Sequence, residues 1–384
     1  MNVYKLFLTL LLTVAGTNAF AQELIDKKAT AATKSLYESL HKLSESHTLF
    51  AHQHATEYGH GWRGDKDRSD VKSVCGSHPA MIGVDLMDFT GHAAEEIEKH
   101  KEKLKQNVVA TYNRGGITTV TWHFSNPLSA GGFYWKDSVS VPAVRHLIPG
   151  GYAHETYKAI LDHIGEWAHS LKGKNGQLVP VIFRPYHEFD GYWFWWGANY
   201  CTPREFTTMW KFTVSYLRDH LKVHNFIYAF SPDNTFKTEA QFLDRYPGDE
   251  WVDMVGMDNY GDMGRDRYQL DTAALKLKIV ADYAAKKGKL AAFTETGLES
   301  IPDTTWWTET LLKTMRHYDI KLTYVLVWRN DEESPKHYYA PFPGQVSVSN
   351  FLEFYNDPHI LFEKDLDRFH LYDRRWWKFW LKNK

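Results

Sequence analysis

Apolar, β-favouring runs alternate with helix-like segments along most of the chain. The apolar runs predict eight strands, at residues 48–54, 80–89, 117–124, 178–186, 226–230, 254–260, 290–294 and 322–328. Apolar positions at helical spacing predict helices at residues 29–44, 93–114, 155–172, 203–222, 240–246, 272–287 and 306–317. Thr202 and Pro203 are typical of a helix start, and Gly288 is typical of a helix end.

This alternation predicts an α/β fold with one parallel sheet. Eight strands fit a single (β/α)8 TIM barrel over residues 22–384, and no linker or low-complexity tract divides that length. An open eight-stranded sheet is the structural alternative, although no glycine-rich phosphate loop follows the first strand. The C-terminal extension from Arg368 carries Trp376, Trp377 and Trp380, and we expect it to cap the barrel.

Residues 1–21 have the pattern of a signal peptide. Lys5 precedes an apolar run over residues 6–14, and Ala19-Phe20-Ala21 matches a cleavage site. The first residue after this cleavage site is Gln22 and not a cysteine, so we expect no lipid anchor. That run is too short to span a bilayer, and no later segment approaches roughly 18 consecutive apolar residues. We therefore expect an exported protein, periplasmic or extracellular, without membrane attachment after cleavage.

The composition is that of a folded protein with many aromatic residues. Of 384 residues, 43% are hydrophobic and 24% are charged, which is not typical of disorder. Lysine plus arginine (45) nearly balance aspartate plus glutamate (47), so electrostatics favour neither nucleic acid nor an anionic membrane as a partner. The chain has 15 Trp, 22 Tyr and 22 Phe, whose faces pack cores and also stack on sugar rings.

Two cysteines, Cys75 and Cys201, are present in a chain that we expect to reach an oxidising compartment. They either pair as a disulfide or remain two separate buried thiols, and the sequence leaves both interpretations open. Two thiols do not form a metal site by themselves.

Chemistry-bearing side chains collect at the ends of the predicted strands, where the active site of a β/α barrel lies. These strand ends hold His52, His54, Asp85, Asp88, His123, Asn126, Arg184, His187, Glu188, Asp233, Asp258, Tyr260, Glu295, Trp328 and Arg329. Glu188 ends the fourth strand and precedes an aromatic loop, and Glu295 ends the seventh strand. Both glutamates therefore face one mouth of the predicted barrel.

A pair of carboxylates beside tryptophans suits the cleavage of a glycosidic bond. One carboxyl must carry a proton for the leaving oxygen, and the other must be ionised to attack the anomeric carbon. Apolar tryptophan walls raise the pKa of an acid, whereas arginine and tyrosine keep a nucleophile ionised. In the structural alternative, Glu188 and Glu295 only form salt bridges with Arg184 or Arg329 inside the barrel.

Several motifs resemble glycoside hydrolase family 26, a group dominated by β-mannanases. Residues 184–188 (Arg-Pro-Tyr-His-Glu) and 191–197 (Gly-Tyr-Trp-Phe-Trp-Trp-Gly) resemble its acid/base region, and residues 293–297 (Phe-Thr-Glu-Thr-Gly) are similar to its nucleophile strand. Shorter pieces follow in the expected order, at residues 122–123, 231–234, 258–260 and 327–329. The similarity covers residues 48–356.

The resemblance implies a retaining glycosidase that acts by double displacement, with Glu188 as general acid/base and Glu295 as nucleophile. His187 would orient the site and touch the sugar, Tyr260 would donate a hydrogen bond to the nucleophile, and Arg184 would keep a carboxylate ionised. The implied activity is hydrolysis of β-1,4-mannosidic bonds in mannan, galactomannan or manno-oligosaccharides, including a form that releases mannobiose. We expect no cofactor, no metal and a monomer.

Aromatic residues are also implied in sugar binding. Trp328 would form the floor of the subsite for the reacting mannose, and Trp193 would stack on the leaving-group side. Trp135 lies in a loop where it either joins these residues or only packs.

Polar residues would contact the glycone, the sugars on the non-reducing side of the cleaved bond. His123, Asp258 and Arg329 match positions of the family that bind these sugars. Mannose differs from glucose in its axial 2-hydroxyl, so discrimination needs hydrogen-bond partners near that atom. His123 and Tyr260 are the candidates.

Three other functions stay open. His52 and His54 imitate a His-x-His motif of zinc-dependent barrel hydrolases, although the fifth and sixth strands end in aspartate. A non-catalytic glycan-binding barrel is the second alternative, and the presence of both glutamates weighs against it. A family relative that cleaves β-1,3-xylan or mixed-linkage β-glucan is the third.

The loop over residues 57–77, with Trp62 and Arg63, bears on the mode of cleavage. If this loop closes the glycone end of the cleft, we expect release of disaccharides from imported oligosaccharides. If the loop is only a surface lid, endo cleavage is equally compatible with the sequence.

Overall fold

Eight parallel strands close on themselves to form a barrel. The structure is a computed structural model that describes residues 23–129, 131–137 and 141–373. In chain order the barrel strands are β1 (Thr48–Gln53), β2 (Met81–Asp85), β3 (Ile117–Trp122), β4 (Val181–Pro185), β5 (Phe226–Phe230), β6 (Met254–Asp258), β7 (Leu290–Thr296) and β8 (Tyr324–Val327). Each strand pairs in parallel with the next, and β8 pairs with β1. The predicted TIM barrel is confirmed, and the open sheet is wrong because β1 has a partner on both edges.

Helices cover the outside of the barrel between the strands. They are Ala31–Ser44, Asp70–Cys75, Ala94–Asn113, Val144–Leu147, His154–Ser170, Pro203–Ser215, Tyr216–His220, Glu239–Phe242, Leu270–Lys287, Trp306–Leu312, Lys313–Arg316 and Val348–Tyr355. The start at Pro203 has a capping box, in which the Thr202 hydroxyl accepts from the Glu205 amide and the Glu205 carboxylate accepts from Thr202. Gly288 ends another helix with a φ of 63°.

Smaller elements differ from the sequence prediction. The strand predicted at residues 80–89 ends at Asp85, because the Asp85 carboxylate accepts from the Met87 amide at 2.9 Å and turns the chain. The helix predicted at 240–246 is a single turn, Glu239–Phe242. The short strands Tyr58–Gly59 and Trp62–Arg63 form a hairpin. Another short strand, Ile360–Leu361, pairs in parallel with the start of β1.

The barrel strands are buried on both faces, which explains their continuous apolar runs. Along β1, Leu49 and Ala51 belong to one core cluster, and the alternating Phe50 belongs to the other. The cluster of Leu49 also includes residues of the helix Ala31–Ser44 and, near the C-terminus, Leu366 and Leu371. The helix and this segment therefore close one end of the barrel. Trp376, Trp377 and Trp380 lie outside the described residues.

Cys75 and Cys201 are both free thiols. The Cys75 thiol contacts the Ser77 carbonyl at 3.5 Å, and the Cys201 thiol contacts the Trp196 carbonyl at 3.3 Å. Burial raises the pKa of each thiol to about 11. Of the two interpretations that the sequence leaves open, the structure has separate thiols.

The segment predicted as a signal peptide, residues 1–21, lies outside the described residues. Among the residues that are described, no helix combines the length and apolar character needed to cross a membrane.

Candidate active site

Polar side chains from several strands meet at the carboxyl end of the barrel. β4 contributes Arg184, and the turn after it contributes Glu188; Asp258 ends β6, and Glu295 lies near the end of β7. The loop after β5 contributes Ser231. A parallel barrel brings the ends of all its strands to one face, so residues as distant in sequence as Arg184 and Glu295, 111 positions apart, come into contact here.

Arg184 is the centre of the ionic network. Its side chain is fully buried, and Nη1 donates to Asp258 Oδ2 at 2.8 Å and to the Ser231 hydroxyl at 2.9 Å. Nη2 donates to Oε1 of Glu295. Burial disfavours the charge of the guanidinium, but the Asp258 and Glu295 carboxylates outweigh burial and raise the pKa of Arg184. Arg184 therefore keeps a positive charge next to the predicted nucleophile.

Glu295 is held from two sides. Besides the Arg184 bond, Oε2 accepts a hydrogen bond of 3.0 Å from the Tyr260 hydroxyl, and His187 Nε2 lies 4.0 Å from Oε1. The side chain is aimed by a bulge in β7, where the pairing with both neighbouring strands slips by one residue around Thr294 and Glu295. The two donors hold the Glu295 carboxylate in a defined orientation.

Glu188 lies in a different environment. Its amide donates to the Ser231 carbonyl at 3.0 Å, with a left-handed φ of 53°, and the indole Nε1 of Trp193 donates to Oε2 at 2.6 Å. Burial raises the pKa of Glu188 well above its ordinary value, and the nearby charges of Asp233, Asp258 and Glu295 raise it further. The hydrogen bond from Trp193 lowers the pKa of Glu188. Burial thus favours a proton on Glu188, and it also raises the pKa of the neighbouring Asp233 and Asp258.

Two histidines form the wall beside these carboxylates. The His123 ring Nδ1 bonds to Asp85 Oδ2, and the His123 amide donates to Asp85 Oδ1 at 3.0 Å. Burial opposes ionisation of Asp85, but His123 outweighs burial and holds the Asp85 pKa below its ordinary value. With Nδ1 used by Asp85, Nε2 of His123 is the ring nitrogen available to a ligand. The His187 ring lies 4.5 Å away, and burial lowers its pKa well below the ordinary value, so it is neutral.

The predicted aromatic platform is assembled from separate loops. The Trp328 ring lies 5.6 Å from the His123 ring, and Trp193 is partly buried against the core. The ring of Trp135 is stacked on Tyr200 at 3.7 Å with an interplanar angle of 13°. Trp135 is therefore in a packing contact, which was one of its two predicted interpretations.

Two of the predicted sugar-binding residues have other partners. Asp258 is fully buried, and its oxygens accept from Arg184 and from the Thr294 hydroxyl at 2.6 Å. The Asp258 carboxylate therefore supports Arg184, and sugar binding by Asp258 stays a prediction. Arg329 is partly buried, forms an ion pair with Asp331 and lies over the Tyr58 ring at 5.9 Å.

The loop over residues 57–77 is anchored beside the cleft. The Trp62 indole donates to Asp70 at 2.7 Å, and Asp70 also accepts from Asn330 of the loop after β8 at 2.8 Å. Arg63 bonds to Glu332 of that same loop. A pocket of about 260 Å³ lies behind this hairpin, and its lining includes Tyr58, Arg63, Asp85, Lys103 and Arg329.

The two histidines at the end of β1 do not form a metal centre with a third ligand among the described residues. His52 is 1% exposed, and His54 Nδ1 bonds to Glu57 at 2.8 Å. Ligand atoms of His187, Asp258 and Glu295 do lie within 4.8 Å of one another, but Arg184 bonds to both carboxylates and supplies the positive charge there.

Several residues at the site have contacts that the sequence did not predict. Ser231 lies in the segment 231–234 that resembles the family, but only the structure shows that it connects Arg184 to the backbone of Glu188. Tyr134 is 38% exposed, and partial burial raises its pKa, with smaller contributions from the charges of Glu188 and Glu295. Asp233 is recognisable in the sequence as a strand-end residue. In the structure it is buried, and burial raises its pKa to about 7.

A closed β/α barrel with two unlike glutamates at its mouth defines the class of this protein: it is a glycoside hydrolase. The family model "Glycosyl hydrolase family 26" matches residues 25–342. A solved GH26 beta-mannanase from Bacteroides ovatus is 39% identical, with a TM-score of 0.81 over 90% of this chain and 98% of its own. GH26C from Muricauda sp. MAR_2010_75 is 35% identical, with a TM-score of 0.84 over 89% and 94% of the two chains.

Among curated proteins, a mannan endo-1,4-beta-mannosidase of Bifidobacterium adolescentis is 33% identical over 293 residues. The match covers 74% of this chain and 28% of the longer relative. The family model covers most of the chain, and the solved relatives share its fold over nearly their whole length. The chain belongs to glycosyl hydrolase family 26, as the motifs predict.

Proposed function

We propose that this glycoside hydrolase is a retaining β-1,4-mannanase that uses Glu188 as general acid/base and Glu295 as nucleophile. The observation that carries the proposal is the contrast between the two carboxyls. Burial and neighbouring negative charges keep a proton on Glu188, whereas Glu295 accepts hydrogen bonds from Arg184 and Tyr260. This is the division of labour that double displacement needs.

In the first half of the reaction, Glu295 attacks the anomeric carbon while Glu188 protonates the leaving glycosidic oxygen. The Trp193 indole N–H donates to Oε2, and the carbonyl oxygen of a protonated carboxyl is a better acceptor than its hydroxyl oxygen, so we assign the proton of Glu188 to Oε1. Oε1 is therefore the oxygen that faces the bond to be cleaved. Trp193 supplies the wall of the leaving-group side.

In the second half, Glu188 acts as base. The covalent bond to the sugar removes the negative charge of Glu295, which is one of the charges that raise the Glu188 pKa. The pKa of Glu188 then falls, so the carboxylate can take a proton from the water that attacks the glycosyl-enzyme bond. Arg184 and Tyr260 stabilise the Glu295 carboxylate as it leaves.

The substrate class rests on relatives and on the polar wall. Solved and curated relatives carry the names beta-mannanase and mannan endo-1,4-beta-mannosidase. His123 Nε2 and the Tyr260 hydroxyl border the reacting sugar and supply partners for the axial 2-hydroxyl of mannose, with Trp328 as the floor. We assign mannan, galactomannan and manno-oligosaccharides as substrates.

The anchored hairpin supports a closed glycone end. Arg63 bonds to the loop after β8, and Trp62 is joined to that loop through Asp70, which favours a fixed wall over a detached lid. Such a wall limits the glycone side to a few sugars and favours release of mannobiose. The arrangement fits an exported monomer, periplasmic or extracellular, that acts on soluble chains without a membrane or nucleic-acid partner.

The decisive experiment is a product time course on linear β-1,4-mannan, mannohexaose, β-1,3-xylan and mixed-linkage β-glucan, resolved by chromatography. Cleavage of the first two substrates supports the proposal, and mannobiose from the earliest time supports the closed glycone end. Cleavage of only xylan or glucan overturns the substrate but keeps the mechanism. No cleavage of any substrate favours a non-catalytic glycan-binding barrel.

Two further measurements complete this test. Proton NMR of the first product distinguishes retention from inversion, since retention gives the β-anomer before mutarotation. Treatment with EDTA is expected to leave the rate unchanged, and a loss that zinc restores would favour the metal alternative at His52 and His54.

A further inference from the structure

The position of the Trp193 indole is controlled by residues that lie behind it. The loops after β3 and β4 pair side by side: the Trp135 amide donates to the Trp193 carbonyl at 2.6 Å, and the Trp195 amide donates to the Phe133 carbonyl at 3.4 Å. These bonds flank an antiparallel bridge between Tyr134 and Phe194. The loop that carries Trp193 is therefore built as one strand of a small two-stranded unit.

Tyr200 holds the same loop from its far end. Its hydroxyl donates to the Tyr192 carbonyl, next to Trp193, at 2.8 Å. Its ring is stacked on Trp135 at 3.7 Å. The Tyr200 side chain thus links the Tyr192 backbone to Trp135, and the Trp135 amide in turn donates to the Trp193 carbonyl.

The indole ring itself rests on the backbone of Gly191. A Cβ atom at Gly191 would lie 2.5 Å from the Trp193 ring, closer than any such contact allows. The indole therefore packs directly against Gly191, and its Nε1 donates to Oε2 of Glu188 at 2.6 Å. A small displacement of this loop would break the bond, since hydrogen bonds weaken steeply with distance and angle.

We propose that Trp135 and Tyr200 form a clamp, the stacked pair, that positions Trp193 on the acid/base Glu188. The clamp residues are positioning residues that act through Trp193, and Trp135 is not a sugar-binding residue. This inference rests on the proposed role of Glu188. It predicts that loss of the clamp impairs proton donation to the leaving group and little else.

The leaving group provides the test, because an aryl glycoside such as dinitrophenyl β-mannobioside departs without a proton. The variants are Tyr200→Ala, which removes stack and hydroxyl, and Tyr200→Phe, which removes only the hydroxyl. Tyr152→Ala is the matched control, since Tyr152 is 74% exposed and far from these contacts. For each variant, kcat/KM is measured on mannohexaose and on the aryl glycoside, with the melting temperature as a check on folding.

For Tyr200→Ala we expect a loss of roughly tenfold to a hundredfold on mannohexaose and a loss within about twofold on the aryl glycoside. Tyr200→Phe should lose roughly fivefold on mannohexaose, the size of one neutral hydrogen bond. The alkaline limb of kcat/KM should move to higher pH, because the Trp193 bond lowers the Glu188 pKa. The control should match the wild type on both substrates.

Equal losses of kcat/KM on both substrates would contradict the clamp and would show that Tyr200 has only a structural role. A raised KM for mannohexaose with unchanged kcat would also overturn it, in favour of sugar binding by this pair. If Tyr200→Ala does not fold, the Tyr200→Phe comparison decides. Glu188→Ala is assayed in parallel: if the aryl glycoside does not rescue that variant, the proposed role of Glu188 fails rather than the clamp.

Discussion

The hydroxyl of Tyr260 donates to Oε2 of Glu295 at 3.0 Å, on the opposite side of the carboxylate from Arg184. β6 and β7 are neighbours, and the Glu295 carboxylate at the bulge in β7 meets Tyr260, the second residue after β6. This bond holds the proposed nucleophile in one orientation before the substrate arrives, which is the basis of its expected effect on rate.

Tyr260→Phe removes this bond and keeps the ring. A hydrogen bond to a charged group contributes about 1.5–3 kcal/mol, so we expect kcat on mannohexaose to fall roughly 10- to 100-fold. Tyr283→Phe is the control, because the Tyr283 hydroxyl also bonds to a carboxylate, Asp249 at 2.8 Å, but away from the site. Similar rates for the two variants would contradict a role for Tyr260 in the reaction.

The two glutamates should respond differently to the leaving group. Glu188→Ala should lower kcat/KM on mannohexaose by roughly 10²–10⁴ and retain most of it on an aryl mannobioside, because only the former substrate needs a proton. Glu295→Ala should lose roughly 10⁴ or more on both substrates, since no covalent intermediate forms. Circular dichroism checks that each variant is folded. Rescue of both variants would refute the assignment of roles.

Asp233 is expected to set the alkaline limit of activity. After burial, its charge is the largest influence that raises the pKa of Glu188, the proposed general acid of the first step. Asp233→Asn removes that charge, lowers the Glu188 pKa and should move the alkaline limb of kcat/KM to lower pH. Asp282→Asn, at an exposed position, serves as control. An unchanged limb in Asp233→Asn would show that the two carboxyls do not interact.

Buried neutral histidines should make the fold sensitive to acid. Burial lowers the pKa of His41 from 6.5 to about 4, so the folded state binds its proton less readily than the unfolded chain. The stability that neutral His41 contributes is fully present above pH 6.5 and is lost as the pH falls towards 4. The total loss in the free energy of unfolding is about 3 kcal/mol. Urea titrations at several pH values should show a flatter acid limb for His41→Gln than for His220→Gln, which alters an exposed side chain. Parallel curves would contradict this account.

The thiols should be independent of redox conditions. Cys75 and Cys201 are free and have raised pKa values near 11, so both are poor nucleophiles at neutral pH. We expect the melting temperature to be the same with and without dithiothreitol. Alkylation after unfolding should label both cysteines without prior reduction, as read by mass spectrometry. A protected pair that reduction releases would indicate a disulfide.

The fold and the two glutamates were within reach of sequence reasoning for the same reason. A parallel barrel buries both faces of each strand, so its strands appear as apolar runs, and its chemistry collects where those runs end. Glu188 and Glu295 both stand at such ends, and the family resemblance of their flanking residues is confirmed by the family model. The element boundaries were less accessible, since Asp85 ends β2 through a bond of its own side chain.

The sequence by itself determined the class of fold, the family and the strand ends that carry the carboxyls, because these depend on local periodicity and on short motifs. Only the tertiary structure decided that Asp258 lies behind Arg184, that Ser231 connects Arg184 to Glu188, and that Trp135 stacks on Tyr200. Each of these contacts joins side chains from different loops or strands. Their geometry depends on how the barrel closes and how its loops pack, and no pattern along the chain encodes that distance.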